Sequence, residues 1–244
     1  LEQKKIADFA APKKSEFPPS SILLKDENGV YHVHFFALQT QKQGTLSEAG
    51  ERILSWHLSE TQDLIVDVYC AEQVTISGKL RVNQLIIKAQ GPIYLSDTIH
   101  CVQNLVVKAK SLAFQQTVYC GRALVIETEQ GTGFEAGVDC KMSSIQAAAI
   151  YQFSPWIIEE HADFACTHFE SHGLKTPLLR LVAQTANFYG LTEINGSDHR
   201  SMVHIERELH INEKALLQLR NVDVQLNSGF IEGVFNCVNT QLDG

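Results

Sequence analysis

The sequence predicts an all-β fold, a parallel β-solenoid whose coils of about 20 residues stack on one another. Three observations carry that expectation. Near-copies of one segment recur as LIVDV from Leu64, LIIKA from Leu85, LVVKA from Leu105 and LVIET from Leu124, at steps of 21, 20 and 19 residues. Alternate positions within these segments form columns: Leu64, Leu85, Leu105, Leu124, then Val66, Ile87, Val107, Ile126, then Val68, Ala89, Ala109, Thr128. Alternation at period two is the strand signature, so these columns share one face. Two further columns, Ile76, Leu95, Phe114, Phe134 and Val82, Cys101, Cys120, Cys140, recur at 19, 19 and 20 residues. Each repeat therefore offers three short strands, and each coil can bury its inner face only on the next.

Along the chain, residues 1–24 read as a poorly ordered leader, rich in Lys and containing Pro18-Pro19. Residues 25–61 hold a strand and a capping helix. The strand follows a turn in NGVYHVHFFALQT, 28–40. The helix is predicted over 45–59, where Thr45 and Glu48 fit a capping box and Leu46, Ala49, Ile53, Leu54 and His57 fall on one stripe. Its role is to close the N-terminal end of the solenoid, whose first coil otherwise presents unpaired strand edges. Residues 62–140 are regular coils with turns at Gly78, Gly91-Pro92, Gly121 and Gly131. Residues 141–244 read as less regular coils with an insertion; the register partly returns in LLRLVAQTANF, MVHIERELHI, ALLQLRNVDVQL and GFIEGVFNCVN.

The formal charge of −8 includes no concentrated basic stretch, which sets nucleic acid aside as a partner. No apolar run reaches the length of a membrane span. The N-terminus lacks the apolar segment of a signal peptide and does not begin with Met, which points to a processed product or a fragment of a larger protein. Cys101, Cys120 and Cys140 share an inner column on adjacent coils, and a disulfide between such neighbours distorts the ladder. They read as buried, reduced thiols, which leans towards a reducing compartment such as the cytoplasm of a bacterium or of a host cell.

Two groups of residues are candidates for function. Ile65, Ile86, Val106 and Val125 form an apolar row on the outward side of the repeated strand, a pattern that marks an interaction surface. In EEHADFACTHFESH, 159–172, a strand places Cys166, His168, Glu170 and His172 on one face, all of them competent transition-metal ligands. His32 and His34 also share one side of a strand, but two ligands do not make a site. GTGFEAG, 131–137, lacks the Lys-Ser/Thr of a phosphate loop and reads as turn glycines. Arg81, Asp97, Arg122 and Asp139 do not fall into a column with paired carboxylates, so no acid–base pair is read from them. No cofactor is expected.

The stacked Leu, Ile/Val and Cys columns of 64–140 resemble those of right-handed parallel β-helix proteins. That architecture includes polysaccharide lyases and hydrolases, bacterial surface adhesins and the cytoskeletal bactofilins, and the resemblance implies no role for any one residue. The function it leaves in front is a non-catalytic scaffold or protein-interaction module of a larger bacterial protein. The alternatives are a carbohydrate-binding or polysaccharide-cleaving β-helix and a self-polymerising, bactofilin-like solenoid. A protein partner or self-association is expected, and a glycan is the second kind of ligand to test.

Overall fold

The computed structural model describes residues 21–25, 31–35, 43–45, 63–68, 73–76, 80–196 and 199–243, and these form a parallel β-solenoid of about nine turns. Each coil contributes to three ladders, called the first, second and third face in their order along the coil that begins at Leu80. The first face stacks Leu80–Val82, Ile99–Cys101, the opening residues of the long strands Val118–Thr128, Val138–Gln152 and Trp156–Ser171, and then Leu174–Thr176, Leu191–Asn195, Leu216–Arg220 and Val234–Val238. The second face runs from Tyr31–Phe35 through Asp63–Val68, Gln84–Ala89 and Asn104–Ala109 to Val222–Leu226 and Gln241–Asp243. The third includes Gln73–Ile76, Ile93–Leu95, Leu112–Phe114, Gly131–Phe134 and Gly229–Ile231. No helix occurs among the described residues.

The repeat read from the sequence is the register of these ladders. Leu64 pairs with Leu85, Leu85 with Leu105 and Leu105 with Leu124, and all four are buried. Ile76, Leu95, Phe114 and Phe134 stack on the third face, and Val82, Cys101, Cys120 and Cys140 on the first. Each fully buried Leu, Ile, Val or Phe contributes roughly 1.5–3 kcal/mol, so the columns dominate stability.

The expected capping helix lies outside the described residues, apart from Thr45 at the end of the strand Gln43–Thr45. The expected leader needs one correction: its last residues belong to the strand Ser21–Lys25, which pairs antiparallel with Tyr31–Phe35. Tyr31–Phe35 thus has partners on both sides, Ser21–Lys25 and Asp63–Val68. On this face an antiparallel strand covers the edge of Tyr31–Phe35, and its direction ends the parallel ladder.

The insertion expected after residue 140 is also corrected, because the ladders continue without a break through 141–196. The irregular appearance comes from a redistribution of volume. Below Leu124 the inner column of the second face continues as Ser143 and Ala162 before returning to Leu179. The space is filled by a chain of rings drawn from all three faces. Phe114 stacks on Phe134 at 4.7 Å between centroids, Phe134 meets Trp156 edge-on at 4.5 Å, and Trp156, Phe164, Phe169 and Phe188 follow at 5.6–5.8 Å. Interiors are close-packed, so a coil with small residues on one face needs large ones on another.

Two inner positions below Phe134 are polar, Gln152 and Ser171, and both are completely buried. Ser171 Oγ donates to Gln152 Oε1 at 2.8 Å, and the Gln152 amide donates to the carbonyls of Ser154 and Gly173. The network lies at the corner between the third and first faces and ties down the carbonyls there. Gly190, at the same corner of the next coil, sits against the His172 carbonyl where no Cβ fits.

Candidate functional site

The apolar row is in strict register: Ile65 pairs with Ile86, Ile86 with Val106 and Val106 with Val125. Ile65, Ile86 and Val106 are half-buried and Val125 is 37% exposed. With about 4.8 Å per ladder step, the row is a straight strip of roughly 14 Å. Both rims are polar. On one side run Asp67, Lys88, Lys108 and Glu127, with Lys108 Nζ 2.8 Å from Glu127 Oε1. On the other, Asn83 Nδ2 donates to Asp63 Oδ1 at 2.7 Å and Asn104 Nδ2 to Gln84 Oε1 at 3.0 Å. The row stops after Val125, where the column continues as Ser144 and then Asp163, which pairs with Arg180 at 3.3 Å. At its other end His32 is the register partner of Ile65, and His34 that of Asp67.

The second candidate group is divided by the fold. The strand Trp156–Ser171 does carry Cys166, His168, Glu170 and nearby His172, but it turns a corner at Thr167. Before the corner Ala162, Phe164 and Cys166 belong to the inner columns, and Cys166 packs against the core; after it Phe169 and Ser171 point inward. The corner resets the alternation, so Cys166 does not share a face with the histidines. His168, Glu170 and His172 remain together outside.

Their geometry is that of a held carboxylate. His172 Nε2 lies 3.3 Å from Glu170 Oε1, and His168 Nε2 lies 3.8 Å from Glu170 Oε2. His168 Nδ1 is 2.8 Å from Thr185 Oγ1, which fixes its ring orientation. The two imidazoles flank the carboxylate at different oxygens, and no group of three or more His, Cys, Asp or Glu among the described residues is arranged to hold a metal ion.

Sequence reasoning missed what surrounds them. The register places Tyr151 beside Glu170 on one side and Asn187 on the other. The outward residues of three successive coils form a three-by-three patch: Ala149, Tyr151, Phe153; His168, Glu170, His172; Thr185, Asn187, Tyr189. Tyr151 and Phe153 are parallel at 6.2 Å, Tyr151 lies 5.5 Å from His168, Phe153 lies 5.8 Å from His172, and His172 stacks on Tyr189 at 4.8 Å. Phe153 is 49% exposed. Carrying the coil register past residue 140 is the signal that brings these residues together.

The remaining candidates fall into the scaffold. GTGFEAG supplies the third-face strand Gly131–Phe134 and the corner after it. Arg81 and Asp139 do share an outward column of the first face, separated in it by His100 and Tyr119. Cys101, Cys120, Cys140, Cys166 and Cys237 are free. Burial pushes the Cys140 and Cys166 thiols up to about 12, with Asp139 and Glu159 adding to the effect at Cys140. The Cys120 thiol is raised by its hydrogen bond with Cys101 and by burial. These thiols are inert fillers at neutral pH.

No helix among the described residues is long and apolar enough to cross a membrane. Comparison with protein-family models, curated proteins and solved structures gives no match. The class the geometry defines is a parallel β-solenoid with stacked, laterally ordered outer columns.

Proposed function

We propose that this chain is a non-catalytic β-solenoid scaffold that presents its second face to a protein partner, as a module of a larger, bacterial protein. The observation that carries the reading is the strip Ile65, Ile86, Val106, Val125, apolar along four coils and polar along both rims. Protein interfaces have this anatomy, with an apolar centre and a hydrated rim. A solenoid holds such a strip straight and rigid, so little ordering entropy is lost when a partner docks. An extended segment of a partner, or a second copy of the chain laid alongside, matches the strip's length and flatness. A reducing cytoplasm suits the stacked thiols. The test is replacement of Val106 and Val125 by Thr, followed by light scattering against concentration and affinity capture. Retained folding with weakened association supports the reading; unchanged association with every captured partner overturns it.

A further inference from the structure

The patch around Glu170 lies on a different face from the apolar strip and raises a separate question of what its carboxylate is for. The Glu170 side chain keeps only 19% of its exposure, yet its ion-pair neighbours among the described residues are His168 and His172, neither of them a fixed cation. Covering a carboxylate without a permanent counter-charge is unfavourable, and the deficit is relieved by a cation arriving from outside. The rest of the patch suits that visitor. Tyr151, Phe153 and Tyr189 supply ring surfaces, whose faces are electronegative. Tyr151 and Asn187, the register neighbours of Glu170, and Tyr189, stacked on His172, bring side-chain oxygen acceptors to the patch. No Lys or Arg belongs to the nine positions, so no permanent cation of the patch competes for the carboxylate.

From this arrangement we infer that the Glu170 patch is a receptor for a cationic side chain of a partner polypeptide, an arginine in particular. A guanidinium is planar and stacks on aromatic rings, and it presents forked donors to a carboxylate and to neighbouring carbonyl oxygens. His168, oriented by Thr185, and His172, stacked on Tyr189, set the carboxylate's position. The site does not depend on the apolar strip being an interface.

The experiment uses the whole chain and N-acetyl-arginine methylamide, with the citrulline analogue as its uncharged counterpart and methyl glucoside as a sugar probe. Binding is followed by NMR through the aromatic and imidazole protons of the patch. Saturable shifts with the arginine probe are expected, weakened by added salt. The citrulline analogue should bind at least about tenfold more weakly, and Glu170→Gln should weaken the arginine probe by a similar factor. Asn187→Ala, at an outward position of the same patch, should weaken it less. Equal binding of arginine and citrulline, or no shift in the patch at saturating arginine, overturns the proposal whether or not Glu170→Gln folds. Binding of methyl glucoside in place of arginine also overturns it and makes the patch a sugar site.

Discussion

Lys108 Nζ reaches Glu127 Oε1 at 2.8 Å across the same two strands whose inner side buries Leu105 on Leu124. The two contacts share a ladder and differ in solvent. Both charged side chains are more than half exposed, so the ion pair is worth at most about 1 kcal/mol. Leu105→Asp places a carboxylate in a dry column and should abolish cooperative unfolding, a cost above ~4 kcal/mol, whereas Lys108→Asp should cost about 1 kcal/mol or less. Urea unfolding followed by circular dichroism distinguishes them, and equal tolerance at both positions contradicts the register.

The thiols give a second check. Cys101, Cys120 and Cys140 are buried and Cys237 is exposed, so peptide mapping after brief alkylation should find Cys237 labelled and the three stacked cysteines protected until the chain unfolds. Rapid native labelling of any of the three places that column on the outside.

The same burial predicts a dependence on alkaline pH. Cys140 and Cys166 stand at about 12 in the folded chain against an ordinary 9.0. Between those values the native state keeps protons that the unfolded chain releases, so their contribution to stability is complete below about pH 9 and declines as pH rises towards 12. Stability measured by urea unfolding near pH 8 and near pH 10 should fall less steeply in Cys140→Ala than in the parent chain. Parallel profiles contradict the buried neutral thiol.

Along the apolar strip, Val106→Thr with Val125→Thr should leave unfolding cooperative, with a loss of about 1 kcal/mol, because both side chains keep contact with solvent. Collapse of the fold in this variant makes the strip part of the core and removes it as an interaction surface.

The buried pair Ser171 and Gln152 predicts a coupling. Ser171→Ala leaves the Gln152 Oε1 acceptor without its donor and should cost ~1–3 kcal/mol. Combining it with Gln152→Leu should cost less than the two single changes added together, because the interaction is lost only once. Strict additivity in thermal unfolding contradicts the network.

By itself the sequence determined the coil and its register from Leu64 to Cys140. There most inner positions are Leu, Ile, Val, Phe or Cys, with Thr128 and Thr132 among the few polar exceptions, so period two within strands and a period near twenty between them survive as a visible pattern. Beyond residue 140 the inner positions include Ser143, Ala162, Gln152 and Ser171, balanced by Trp156, Phe164 and Phe169 in other columns. Volume is conserved across a whole cross-section and not along one column, so only the tertiary structure shows that the coils continue. The tertiary structure also decided the outer patch. The corner at Thr167 turns Cys166 inward while His168, Glu170 and His172 stay out, and coil lengths of 19 and 17 residues bring Tyr151, Glu170 and Asn187 side by side. Alternation within a strand is local and can be read from the chain, whereas adjacency between coils depends on where each corner falls, which the packing of the interior sets.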